Sequence, residues 1–417
     1  MKKEINKFLY FYRFLATVDI LNIPKLRFKE FTDEWVYYKY KDIFNLNQGL
    51  QIPITERFLD YAPNRFFYIT NEFLKPSSKK SYYIENPSPN VICTKEDILM
   101  TRTGNTGKVI TNIAGVFHNN FFRIKYNPKN FNKDFICCIL NQNKIQNKIL
   151  TLAGSSTIPD LNHKDFYSIK SRFPKLKEQE KIAKFINTVD KKIENIENTI
   201  SSLENQKKGL LQQIFSQKLR FKDENGNNYP NWEKKKLGDI CKFTGGGTPS
   251  TSILKYWNGT IPWISSSDLQ TNTIHKIKIS RYITNEAVSN SSTKIIPKNS
   301  ILIVSRVGVG KVAISNCVLC TSQDFTNITE INGNTTFYAY LLKYKMEQLT
   351  QNTQGTSIKG ITTSDIKNIK LIVPIEQTEQ TKIADFLSEF DRKLDNQKAQ
   401  LEHWQQIKKG LLQQMFV

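Results

Sequence analysis

Apolar side chains recur every three or four residues over two long stretches of the chain. In the first, Ile182, Ile186, Val189, Ile193, Ile196, Ile200, Leu203, Leu210 and Ile214 form the series, and Lys207 fills its one gap. In the second, Ile383, Leu387, Phe390, Leu394, Leu401, Trp404, Leu411 and Met415 do the same, with Gln397 and Lys408 in the seam. A seven-residue apolar repeat sustained over several heptads predicts a long helix with a coiled-coil face. Roughly forty residues at 1.5 Å each give a rod of about 60 Å. Pro174 and Pro374 precede Glu/Gln-rich first turns, a helix-start signature. Elsewhere short apolar runs are punctuated by Gly, Asn and Pro, which predicts strands and turns.

The two stretches are copies. "KKGLLQQIF" (Lys207–Phe215) returns as "KKGLLQQMF" (Lys408–Phe416), and Gln179, Lys181, Ile182, Ala183, Phe185 and Asp190 return as Gln380, Lys382, Ile383, Ala384, Phe386 and Asp391. Two matched copies favour pairing of the helices with each other, and Lys207 and Lys408 hold equivalent seam positions where a polar residue can fix register. The repeat covers the intervening sequence too. "KLRFK" occurs at Lys25 and at Lys218, and Trp35 with Asp42-Ile43 echoes Trp232 with Asp239-Ile240. "DILMTRTGNTGKV" (Asp97–Val109) resembles "SILIVSRVGVGKV" (Ser300–Val312), each reading as strand, glycine turn, strand, with Arg102 set opposite Arg306. Helical runs follow over 135–153 and 337–354, closed by "GSSTI" at Gly154 and "GTSI" at Gly355; "DFYSIK" and "DIKNIK" then lead into the prolines. The predicted organisation is an N-terminal extension (1–22), a domain (23–173), a long helix (174–217), a second domain (218–373) and a second long helix (374–417). The fold class is α+β: two globular domains of mixed β-sheet with helices alternate with two long helices in a tandem repeat. Between the landmarks the domains diverge: "GLQIPITERFLDYAPNRFFYIT" has no counterpart in "GGGTPSTSILKYWNGTIPWISSSDL".

Charge sharpens the picture. Sixty Lys and Arg against thirty-eight Asp and Glu leave a net charge of +22, which points to a polyanionic partner, most often nucleic acid. No membrane span is expected: the apolar stretch from Phe8 to Leu21 is broken by Arg13 and Asp19, and it falls short of the ~20 residues that cross a bilayer. It lacks a small-residue cleavage site, reads as an N-terminal helix packed on the first domain, and leaves a cytoplasmic location as the expectation.

Candidate chemistry is sparse. Of six cysteines only Cys317-x-x-Cys320 has metal-like spacing, with no second pair to complete a four-ligand set, so reduced, mostly buried thiols and no metal are expected. Gly104-x-x-Gly107-Lys108 imitates a phosphate loop, but Arg102 stands where the first glycine belongs and Val109 follows the lysine. His118, His163, His275 and His403 lie far apart with no nucleophile around them. Motifs for methyl transfer, nucleotide hydrolysis and metal-dependent cleavage are all missing. No catalytic residue and no cofactor are expected.

Two divergent domains, each opened by "KLRF…W…DI" and closed by "P…EQ.KIA.F" and "KKGLLQQ.F", resemble the specificity subunit of type I restriction–modification systems over about residues 23 to 417; "GGGTPST…YWNGTIPWISSSDL" is similar to a common variant of that family's target-recognition domain. The resemblance implies a non-catalytic subunit that reads a two-part sequence in double-stranded DNA across an unread spacer. It implies an antiparallel coiled coil holding the domains apart, and partnership with two modification (methyltransferase) subunits and with restriction (motor-nuclease) subunits. The other reading left open is a coiled-coil nucleic-acid-binding adaptor without sequence specificity. Residues beside the glycine turns, Arg102, Asn105 and Lys108 and then Arg306 and Lys311, are the expected DNA contacts, with the matched Arg102 and Arg306 in a shared structural or backbone role. Base choice is expected where the domains differ: Gln48, Gln51, Arg57 and Arg65 in the first, Thr248, Ser265, Ser266 and Ser267 in the second.

Overall fold

The computed structural model describes residues 23–75, 80–154, 158–352 and 360–416. The 8–21 stretch, most of "GSSTI" and all of "GTSI" lie outside the described residues. The longer helices are α1 (Lys133–Leu140), α2 (Asn143–Ala153), α3 (Leu176–Phe215), α4 (Thr335–Asn352) and α5 (Gln377–Gln414). The two heptad stretches thus form helices of 40 and 38 residues. No helix among the described residues is long and apolar enough to cross a membrane.

The chain divides into two compact units: one runs to Ile196 and takes in the chain from Gln400, the other is Glu197–Ala399. In the first, β1 (Val36–Lys39) pairs antiparallel with β10 (Lys170–Phe173) as a separate ribbon. One sheet has the order β2 (Asn45–Gln48), β9 (Phe121–Lys125), β6 (Ile98–Thr101), β7 (Val109–Ile110). The other has the order β4 (Tyr83–Glu85), β3 (Arg65–Ile69), β8 (Gly115–Phe117), β5 (Ile92–Cys93), with β3 and β8 parallel.

The second unit repeats this strand for strand. β11 (Glu233–Lys236) pairs with β20 (Lys370–Val373). The sheets run β12 (Cys241–Gly245), β19 (Phe325–Ile331), β16 (Ile301–Val304), β17 (Val312–Ile314), and β14 (Arg281–Ile283), β13 (Ile261–Ile264), β18 (Leu319–Thr321), β15 (Ile295–Ile296). The stretches that look unrelated as sequence therefore share one topology. "RFFYI" and "IPWI" both make a central strand whose last two residues are buried, because apolar β-formers are needed there and identity is not. A shared glycine marks the crossing before each. A Cβ on Gly49 would sit 2.2 Å from the Phe117 carbonyl oxygen, and one on Gly246 would sit 2.0 Å from that of Ser322.

Each core is closed by the beginning of one long helix and the end of the other. Ile182, Ile186 and Val189 of α3 join Phe122, Phe135 and Phe173 in the first unit, and so do Leu411 at the end of α5 and Met415 and Phe416 just beyond it. Leu211 and Ile214 of α3 join Ile301, Ile328 and Phe337 in the second, together with Ile383 and Leu387 of α5. Each such side chain contributes about 1.5–3 kcal/mol on full burial. Leu210, assigned to the seam by spacing, is half-buried, and its neighbour Leu211 takes the buried place.

The repeated motif residues make repeated contacts. Glu178, in the first turn of α3, accepts two bonds from the Arg27 guanidinium (2.7 Å each) and one from the Trp35 indole (3.3 Å). Glu379 of α5 accepts the same from Arg220 (2.9 and 3.1 Å) and Trp232 (3.1 Å). Gln179 and Gln380 accept from the backbone N–H of Asn132 and Asn334, both at 2.9 Å, and donate to the carbonyls of Pro174 and Pro374. Carboxylates at helix N-termini also complement the helix dipole. The seam lysines meet carboxylates: Lys207 bonds Asp391 in the second unit, and Lys408 lies 2.5 Å from Asp190 in the first.

One expectation needs correction. The helical run over 135–153 is two helices, because the Asn141 side chain caps α1 by donating to the Cys137 carbonyl (2.8 Å) and Gln142 turns extended. The counterpart, with Lys343-Tyr344 at those positions, continues unbroken as α4. The cysteines are free thiols, and burial pushes those of Cys137 and Cys138 up to about 12.

Candidate nucleic-acid interface

The glycine turns are built from backbone pairing. In the first unit Thr101 N–H donates to Lys108 O, Gly107 N–H to Thr101 O and Arg102 N–H to Asn120 O. In the second, Val304 donates to Lys311, Gly310 to Val304 and Ser305 to Asp324. The carbonyls of Arg102 and Ser305 accept from Leu161 and Ile361. The structural counterpart of Arg102 is therefore Ser305, and that of Arg306 is Thr103; matching the two arginines by letter slips the register by one. The shared role expected for them falls with it. Arg102 forms a bidentate pair with Asp160 (2.9 and 2.5 Å), whereas Arg306 is exposed.

Left-handed backbone at Gly104, Asn105 and Gly107, and at Gly308 and Gly310, shapes these turns. Asn105 and Lys108 project from the first, and Arg306 and Val307 from the second. Lys311 instead reaches the Ser266 carbonyl at 2.9 Å.

Among the residues that differ between the units, two arginines are tied internally. The Arg57 guanidinium donates to the Ile52 carbonyl (3.0 and 2.6 Å) and lies over the Tyr68 ring. Arg65 pairs with Asp60 at 2.7 Å and lies 3.6 Å over the Phe58 ring. Ser265 caps a turn with Asp268 and accepts from Arg281 at 2.7 Å; Ser266 is buried, and Ser267 is exposed beside Ser265 (2.9 Å).

The remaining candidates bond the turn that follows β8 in the first unit and β18 in the second. Gln48 donates to the Asn119 carbonyl at 3.4 Å, and Asn119 donates its amide to Gln51 Oε1 at 3.3 Å. In the second unit Thr248 bonds Gln323. The glycine crossings make Gln51 and Thr248 counterparts. Asn119 and Gln323 are counterparts as well, each just before the residue whose carbonyl receives Arg102 or Ser305 N–H. Equivalent sites thus carry a polar pair of different identity, Gln51–Asn119 against Thr248–Gln323. Asn119 and Gln323 were not singled out from sequence. The signal is a polar tripeptide after a buried strand, "HNN" in one unit and "SQD" in the other. His118 shapes the first of these turns, its Nδ1 accepting from Asn120 N–H at 3.0 Å. Burial, and then the Arg57 charge, hold the His118 imidazole below its ordinary pKa.

No group of three or more His, Cys, Asp or Glu side chains placed to hold a metal occurs among the described residues. Amides, hydroxyls and cations at exposed turns suit hydrogen bonding to base edges and phosphates.

Known proteins carry the same frame. The chain is 36% identical over 208 residues to the type I restriction enzyme MjaIX specificity subunit of Methanocaldococcus jannaschii, covering 49% of this chain and 48% of that protein. It is 33% identical over 167 residues to the EcoR124I/EcoR124II specificity subunit of Escherichia coli, covering 38% and 41%. The chain thus spans about half the length, or less, of these two relatives. A weaker match, 22% over 404 residues, covers 91% of both this chain and the M. jannaschii MjaVIII specificity subunit. The crystal structure of a type I restriction–modification S subunit from M. genitalium shares the fold, with a TM-score of 0.61 at 17% identity over 95% of this chain and 99% of that one. The family model described as "Type I restriction modification DNA specificity domain" matches twice, at residues 32–205 and 229–403, and the chain belongs to that family.

Proposed function

We propose that this chain is the DNA-reading subunit of a type I restriction–modification complex, with residues 23–173 and 218–373 as its two target-recognition domains. One observation carries the reading: two units of identical strand order present polar pairs of different identity at equivalent sites, as two readers of unlike half-sites require. Lys108, Asn105 and Arg306 supply phosphate contacts, so affinity falls steeply with salt. Gln48, Gln51, Asn119, Thr248, Ser267 and Gln323 supply base-edge bonds; Arg57, Arg65, Arg102, Ser265, Ser266 and Lys311 hold the loops that present them.

Residues 174–217 and 374–417 form the antiparallel coiled coil. Within the second unit Lys207 meets Asp391 and Glu204 meets Lys398 (2.7 Å), so numbering falls along one helix as it rises along the other. Methyl transfer and cleavage fall to two modification subunits and to restriction subunits, and the chain itself contributes recognition. The test is to map methylated adenines in the host with and without the gene, then with residues 23–173 exchanged for another subunit's first domain. A bipartite motif changed in one half is expected. Changes in both halves, or equal binding to scrambled duplex at moderate salt, would overturn the proposal.

A further inference from the structure

The first unit has an open cavity of about 140 Å³. Its lining includes Trp35, Gln142, Lys144, Lys170, Arg172 and Phe416. Among the described residues no carboxylate lines it. Arg172 and Lys170 also lie over the ring of Tyr37, which is 56% exposed at the rim (5.1 and 5.6 Å).

The repeat shows what fills this place elsewhere. Gln142 corresponds to Tyr344, and Phe416 to Phe215. In the second unit the Tyr344 ring lies on the Phe215 ring, with centroids 5.4 Å apart. In the first, the helix breaks at Asn141–Gln142, no aromatic follows, and the Phe416 ring borders the cavity. The charge differs as well. Arg172 faces Tyr37 across the ribbon, whereas its counterpart Ile372 faces Lys234. A volume of this size holds a benzene-sized group.

From the missing ring and the uncompensated cations, we propose that this cavity is a docking site for a partner polypeptide: one aromatic side chain seats where Tyr344 sits in the second unit, and flanking carboxylates meet Lys144, Lys170 and Arg172. The unpaired edges of the β1–β10 ribbon lie beside it to receive the flanking backbone.

The test is fluorescence anisotropy on the full chain with a labelled acidic peptide, Asp-Glu-Phe-Glu-Asp, against versions with Ala at the centre or Lys at the flanks. Wild type binds the acidic phenylalanine peptide about tenfold tighter than either control, a 1.4 kcal/mol preference. Gln142→Tyr supplies the missing ring internally and abolishes that preference while its thermal melt stays at or above wild type. Arg172→Ile weakens binding and flattens its salt dependence. Failure of wild type to bind at about 1 mM, or undiminished binding by Gln142→Tyr, overturns the proposal. Equal losses of peptide and duplex affinity in Gln142→Tyr would make the cavity a nucleic-acid contact and overturn it too.

Discussion

Two lysines at equivalent places in the repeat face carboxylates at equivalent places, yet their surroundings differ. Lys207 and Asp391 side chains are 8% and 7% exposed; Lys408 and Asp190 are 35% and 42% exposed. Lys207→Met keeps most of the apolar stem of the side chain and strands the Asp391 carboxylate. Its remaining support is the Tyr340 hydroxyl, donating at 2.6 Å, and His275 at 3.8 Å. Removing one partner of a buried pair costs about 3–5 kcal/mol. The exposed counterpart is worth about 0–1 kcal/mol. At about 2–4 °C per kcal/mol for a unit of this size, Lys207→Met lowers the melting of the second unit by about 10 °C. Lys408→Met shifts the first by about 4 °C or less. Adding Asp391→Leu to Lys207→Met returns part of the loss, because an apolar pair of similar volume is often neutral or stabilising. The return is incomplete, since the Tyr340 hydroxyl is left with Ser388 at 3.5 Å and His275 Nε2 at 3.1 Å. Calorimetry, with hydrogen exchange over Thr335–Asn352 to assign the transition, reads both variants. Equal losses in Lys207→Met and Lys408→Met would refute the argument that burial decides the value of these pairs.

Asn119→Ala is expected to relax base preference in one half of the target only, by about 1–3 kcal/mol of discrimination, and Gln323→Ala in the other; a bind-and-sequence selection reads both, and a change in both halves from one variant contradicts the assignment. Burial, as the largest cause, lowers the imidazole pKa of His118, His163 and His275. The unfolded chain therefore binds their protons first as pH falls below about 6.5, so stability is full above that pH and declines towards the folded values. A melt that rises on going from pH 7.5 to 5.5 opposes this; His118→Gln should shrink the fall. Finally, Leu26 N–H donates to Gln414 O at 2.8 Å as Leu219 N–H donates to Gln213 O at 3.1 Å, although only the second pair is joined directly by chain. A circular permutant that links the end of the chain to Lys25 and opens after Gln217 should melt within about 0.5 kcal/mol of wild type; loss of the folded state would show that the two junctions are not equivalent.

The duplicated frame was legible because its buried copied letters make copied contacts. Arg27 and Arg220, Trp35 and Trp232, and Glu178 and Glu379 recur together since a buried carboxylate needs all its donors at once. The long helices were legible through their period. What faces the odd lysines was not, because Asp190 and Asp391 lie on the other helix and only the register between helices brings them opposite. The glycine turns were recognised but misaligned by one residue. Two arginines look like a match as letters, while the backbone bonds of Thr101 and Val304 set the true register. Among the candidate contacts, Arg57 and Arg65 were legible as cations in divergent loops. Their acceptors, a carbonyl five residues before Arg57 and a carboxylate five residues before Arg65, depend on loop shapes that no periodicity encodes. The polar pairs at Asn119 and Gln323 escaped notice for the complementary reason: their partners are about seventy residues distant, and neither tripeptide resembles the other.

Why the same nine residues occur twice follows from how each core closes. Phe416 stacks on Phe135 at 5.3 Å and meets Trp35 edge-on at 6.1 Å; Phe215 meets Phe337 at 6.0 Å, and Trp232 meets Phe337 at 6.2 Å. Each domain supplies the start of the helix that follows it, and the apolar end that completes its core belongs to the other helix. For the second unit that end, Leu211 to Phe215, lies just upstream in the chain. For the first it lies at Leu411 to Phe416, more than two hundred residues from the helix start it joins, so the first core closes only after nearly the whole chain is available. Loop closure of that length is slow. The second unit is therefore the one built to fold first, and a truncation before Leu411 should leave the second core intact while opening the first.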